Sequence, residues 1–96
     1  MPRRCPPLTP SDVQAILRAR GFAPIKARSG SSHEHWRGVV RGATAVVTVD
    51  TAHDDYSDKL IASMMRQSQL SREEFYGATE STARKIGLRA TVALAE

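Results

Sequence analysis

Residues 33–49 read HEHWRGVVRGATAVVTV, and the way this stretch folds decides the rest of the chain. Its second half, 43–49 (ATAVVTV), is dense in β-branched side chains, which fit a pleated surface, and it is the clearest strand in the sequence. His33 to Val40 also reads as extended, with Gly38 and the pair Arg41-Gly42 interrupting the pattern. Side chains alternate between the two faces of a strand. His33, His35 and Arg37 therefore point one way, and Glu34, Trp36 and Gly38 the other. Trp36 is the large apolar member, so its face turns to the core and the histidines turn to solvent or a ligand.

Upstream, Ser29-Gly30-Ser31-Ser32 is a turn, and 23–28 (APIKAR) is a short strand that Pro24 restricts to an edge. A helix starts before it. Thr9 caps, Pro10 suits the first helical position because its missing N–H would be unpaired there, and Asp12 sits in the first turn. Val13, Ile16 and Leu17 share a face, Gly21 ends the helix, and Phe22 folds back onto that face.

Downstream, 50–57 is a polar loop, and Ser57 caps a second helix whose Leu60, Ile61, Met64 and Met65 form an apolar stripe. The methionines read as core filling. Ser71-Arg72-Glu73-Glu74 is a capping box that opens a third helical stretch, with Phe75, Ala78, Thr82 and Ile86 on one side and Gly87 as its stop. The end, LRATVALAE, is apolar for a tail; it suits an added strand, a disordered end or a surface that a partner covers. The order helix, three strands, helix and helical extension predicts an α+β sandwich with an antiparallel sheet and helices on one face. One domain accounts for all 96 residues, with a core over about 8–70 and an extension and tail over 71–96.

Composition narrows the function classes. With 41% hydrophobic and 25% charged residues the chain is globular rather than disordered. No apolar run approaches the length of a membrane span, and MPRRCPPLTP has no apolar stretch behind its arginines, so neither a membrane anchor nor a secretory signal is expected. Cys5 stands alone, which suits a reducing, cytoplasmic setting. The net charge of +4 is unevenly spread: residues 1–42 carry +6, 43–70 carry −2, and 71–96 balance. A basic half of this kind can receive a polyanion, or it can simply be solvated.

Histidine titrates near ~6.5, so an exposed imidazole can both take and give a proton close to neutrality. His33 opens its strand beside the Ser/Gly turn, with Lys26, Arg28 and Arg37 in reach for a phosphodiester. Two histidines on an exposed face are, by default, decoration. A metal site from His33, His35 and His53 with Asp50 or Asp54 lacks a recognised zinc spacing. A serine nucleophile among Ser29, Ser31 and Ser32 lacks the strained strand–turn–helix elbow that such a residue needs. The residues alone leave decoration and RNA chemistry both open.

The strings LTPSDV at 8–13 with ILRARGF at 16–22, SSHEHW at 31–36, AVVTV at 45–49 and IASMMRQSQLSREEF at 61–75 together resemble the HicA family of toxins from bacterial toxin–antitoxin systems. The resemblance spans about residues 8–76 in the family's order. It implies the fold of a double-stranded RNA-binding domain, α-β-β-β-α. It implies a ribosome-independent mRNA endonuclease that halts translation and needs neither metal nor cofactor, with the catalytic histidine falling on His33. It also implies a cognate HicB-type antitoxin that masks this residue. Lys26, Arg28, Ser31, Ser32, His35 and Arg37 are then the candidates for RNA contacts, positioning the backbone without reading bases. Gln69 stands where the family commonly has glycine, and Asp54, Asp55 and Asp58 follow the third strand, where acids near the site would repel phosphate. The competing expectations are a non-catalytic RNA-binding domain and a protein-interaction module that docks an acidic partner.

Overall fold

A computed structural model of the chain describes residues 5–25 and 32–95. The elements run α1 (Pro10–Ala19), β1 (Ala23–Ile25), β2 (His33–Val40), β3 (Ala43–Asp50), α2 (Asp58–Ser68), α3 (Arg72–Tyr76) and α4 (Glu80–Lys85). The strands form one antiparallel sheet in the order β1-β2-β3, so the fold is a small α+β unit. β1 is an edge strand, as Pro24 requires, described over Ala23–Ile25; the rest of the expected strand, with Lys26 and Arg28, lies outside the described residues.

The long hairpin departs from the expected break at Gly38. β2 runs straight through this residue, pairing from His33↔Asp50 to Val40↔Ala43. The glycine makes room instead of breaking the strand: a Cβ there would sit 2.7 Å from the ring of buried Phe22. The turn is Arg41-Gly42, both at positive φ (49° and 82°), as a type I′ hairpin demands. Arginine is a costly residue in that region. Its guanidinium offsets the cost: Nη1 donates to the Glu74 carboxylate at 2.8 Å and Nη2 to the Gln69 carbonyl at 2.6 Å.

Burial follows the alternation. Trp36, Val40, Ala45, Val47 and Val49 face the helices and are buried, while His35, Arg37, Val39 and Val46 face outward. α1 begins with a full capping box between Thr9 and Asp12 and buries Val13, Ile16 and Leu17. Trp36 is 1% exposed; its indole N–H donates to Glu34, and the Arg18 guanidinium lies 5.1 Å from its ring centroid.

α2 departs from its expected stripe. Ile61 and Met64 are buried and Met65 is half-buried, but Leu60 is exposed and turned toward a cavity described below. The helix ends on Gln69 at φ 63°, a left-handed position that favours glycine. Gln69→Gly should therefore stabilise the fold by about 0.5–1 kcal/mol, seen as a rise of several degrees in Tm. An unchanged or lower Tm would show that the Gln69 side chain contributes more than its backbone strain costs.

The third helical stretch is two helices, not one. Gly77 closes α3 by donating its N–H to the Glu73 carbonyl at 2.7 Å. The Thr79 hydroxyl then accepts from the Thr82 N–H and starts α4. Among the described residues, the tail forms no strand. It is fastened instead through Val92 N–H to the Gly77 carbonyl (2.9 Å), Arg20 to the Val92 carbonyl (2.5 Å) and Ala95 N–H to Glu74 (2.7 Å). Phe75 and Tyr76 belong to the same apolar cluster as Cys5, Leu8 and Trp36. The Tyr76 hydroxyl donates to the Pro6 carbonyl at 2.7 Å. The extension is thus part of the core. Among the described residues, no helix is long and apolar enough to cross a membrane.

Candidate active site

The hairpin register sets His33 directly opposite Asp50 at the open end of the sheet. The ladder continues one step further, because both the N–H and the hydroxyl of Thr51 donate to the Ser32 carbonyl (2.9 and 3.0 Å). Asp50 then turns the chain by accepting the Ala52 N–H on its Oδ1 at 3.0 Å. That turn carries His53 back over the strand end. Its Nε2 lies 3.4 Å from Asp50 Oδ2, and the Nε2 of His33 lies 3.6 Å from the same oxygen. Two imidazoles share one carboxylate.

The loop is held at its far end too. Tyr56 donates its N–H to the Leu8 carbonyl (2.9 Å) and its hydroxyl to the Asp50 carbonyl (2.7 Å). The His53 ring rests on the Tyr56 ring with centroids 5.7 Å apart. α2 supplies the remaining wall through Leu60, Ser63, Met64 and Gln67, and Thr48 completes a cavity of about 210 Å³. Gln67 also closes the sheet edge. Its side-chain oxygen accepts the Thr48 N–H at 2.9 Å, on the outer side of β3, where no further strand follows among the described residues.

The electrostatics follow from this geometry. The Ala52 N–H is the main influence holding the Asp50 carboxyl below its ordinary range; the Ser32 side chain, His33 and His53 add to it against partial desolvation. Burial, with smaller contributions from the negative charges of Asp50 and Glu34, pushes the Tyr56 phenol up to about 12. Tyr56 is therefore a fixed donor at neutral pH, not a base. The site presents an ionised carboxylate between two accessible imidazoles, with side chains 57% (His33) and 42% (His53) exposed. Such an arrangement can hold and move protons at a bound ester.

The sequence-predicted residues divide into groups. His33 lines the cavity and Ser32 contributes to holding Asp50. His35 lies on the same outer face, with its Nδ1 3.2 Å from the Thr48 hydroxyl, outside the cavity lining. Arg37 shares that face about 13 Å along the strand from His33, four residues at ~3.3 Å each. It lines a separate shallow groove with Arg20, Pro24, Ile25 and Val39. Lys26, Arg28 and Ser31 lie outside the described residues.

Asp50, His53, Tyr56, Ser63 and Gln67 were not among the expected catalytic or RNA-binding residues. Asp50 could have been found by pairing 33–40 against 43–50 around the Arg41-Gly42 turn. Of the loop acids expected to repel phosphate, Asp55 and Asp58 line a neighbouring groove with Lys59. Among the described residues, no group of three or more His, Cys, Asp or Glu side chains is arranged to hold a metal ion. No family model, curated protein or solved structure matches this chain.

Proposed function

We propose that this chain is a HicA-type toxin: a metal-independent RNA endonuclease with a double-stranded-RNA-binding-domain-like fold. In this reading it acts through His33 and is held in check by a HicB-type antitoxin. The observation that carries it is the exposed His33 ring at the mouth of a cavity, within 3.6 Å of an ionised carboxylate. An imidazole oriented by a carboxylate is a standard proton-transfer unit, and RNA supplies its own nucleophile in the ribose 2′-hydroxyl. His33 takes or returns the proton in that attack.

The element order and the +6 charge over residues 1–42 support the same reading. Arg37 and His35, on the same outer face as His33, suit backbone contacts that position RNA without selecting its sequence. A second reading, a protein-docking module, draws on that face as well. Ile25, Val39 and Val46 are 45, 61 and 44% exposed there, with Arg37 in a groove beside Ile25 and Val39. An antitoxin with apolar and acidic side chains would satisfy both.

The test is to incubate the purified chain with single-stranded and duplex RNA in the presence of a chelator and without ribosomes. Cleaved fragments are expected. Salt-sensitive binding with intact RNA would overturn the enzyme reading in favour of a binding domain. No binding at all would favour the docking module.

A further inference from the structure

We propose that His53 is the second proton-transfer group of this site, so that His33 and His53 work as an acid–base pair across a single RNA phosphodiester. The inference rests on the RNA-cleavage reading and extends it. The two Nε2 atoms approach the same Asp50 oxygen from β2 and from the 51–57 loop. They are thus no farther apart than the sum of those two contacts, with the Asp50 oxygen between them, and both rings line the same cavity, where one phosphodiester seated beside that oxygen would meet both. One negative charge between two imidazoles balances one protonated and one neutral ring, the state in which an acid and a base coexist. Nor is His53 placed by chance. Thr51 is tied to Ser32, Ala52 to Asp50 and Tyr56 to Leu8, so the loop that carries His53 is fixed on both sides of it.

The chemistry balances without a co-reactant. The neutral imidazole takes the proton of the ribose 2′-hydroxyl as its oxygen bonds to phosphorus. The bond from phosphorus to the 5′-oxygen breaks, and the protonated imidazole gives that oxygen its proton. The products are a 2′,3′-cyclic phosphate and a 5′-hydroxyl. The rings leave the step with their protonation states exchanged, and solvent restores them.

The experiment measures cleavage of a short RNA by the parent, His53→Ala, His53→Gln and His33→Ala, each confirmed folded by circular dichroism. The parent should yield cyclic-phosphate ends and a bell-shaped dependence of kcat/KM on pH. Groups facing His53 are Asp50 on β3, His33 on β2 and Tyr56 in its own loop, with Asp55, Asp58 and Lys59 lining the adjoining groove. Both His53 variants should lose about 100-fold or more in kcat/KM with RNA affinity nearly kept, and lose one limb of the bell. A substrate whose 5′-bridging oxygen is replaced by sulfur needs no acid, because thiolate is a good leaving group. It should rescue the variant that lacks the acid and not the one that lacks the base. His53 variants that cleave like the parent with the same pH profile overturn this proposal alone. A parent that cleaves no RNA overturns the underlying reading as well.

Discussion

His33→Ala is expected to lower RNA cleavage by about 10²–10⁴-fold and to abolish growth arrest on expression, with the fold and RNA affinity retained. The separation of effects follows from the position of the ring. Its side chain is more than half exposed at the first residue of β2, so its removal opens no core cavity. A surface change of this kind costs within about 0.5 kcal/mol of stability. What is lost is one imidazole 3.6 Å from Asp50 at the cavity mouth. His35→Ala is the matched control, since that ring lies one strand step away on the same outer face and pairs with Thr48 outside the cavity. It should keep kcat within a few-fold of the parent and affect mainly RNA affinity. Single-turnover cleavage by both variants, beside the parent, decides the matter. An equal loss in both, or full toxicity in His33→Ala, would remove His33 from the catalytic role.

How much of the molecule is legible in its sequence depends on the range of the interaction. Local rules served well. Thr9-Pro10-Ser11-Asp12 and Ser71 to Glu74 form capping boxes, and Ser57 caps α2, because a cap involves only four consecutive residues. The alternation around Trp36 held because a strand has only two faces. Gly38 was misjudged because its reason lies in Phe22, sixteen residues upstream, and no local pattern records a ring that needs space. The helix break at Gly77 was passed over because Phe75, Ala78, Thr82 and Ile86 keep a helical spacing across it. The site was half legible for the same reason. His33 stood out beside its turn, whereas Asp50 joins it through cross-strand register and His53 through an Asx turn and a buried tyrosine. Polar loops conceal such partners, since their residues look solvated until the chain ends are fixed.

The second large effect is on stability, at the junction of the hairpin turn and the tail. Glu74 is 4% exposed, yet its carboxylate is fully engaged. Oε1 accepts the Ser71 N–H at 2.9 Å, and Oε2 accepts from Arg41 at 2.8 Å and from the Ala95 N–H at 2.7 Å. Burial works to raise the pKa of this carboxyl, but the two N–H groups and Arg41 outweigh it and hold it at about 2. An unfolded glutamate titrates near ~4.3, so the folded state prefers the charged form. The contribution is therefore complete above about pH 4.5 and is lost as pH falls toward about 2. Glu74→Ala takes from Arg41 the carboxylate that holds it in its strained left-handed turn and leaves the Ser71 and Ala95 N–H groups without their acceptor. It should cost about 2–3 kcal/mol at pH 7, a large share of the total for a domain of this size. Glu74→Gln keeps the shape and removes the charge, so it isolates the titration. The gap in unfolding free energy between parent and Gln variant, from urea melts, should be widest at neutral pH and close as pH falls from about 5 to about 2.5. A gap that stays constant over that range would mean that shape, and not charge, holds the tail to the turn.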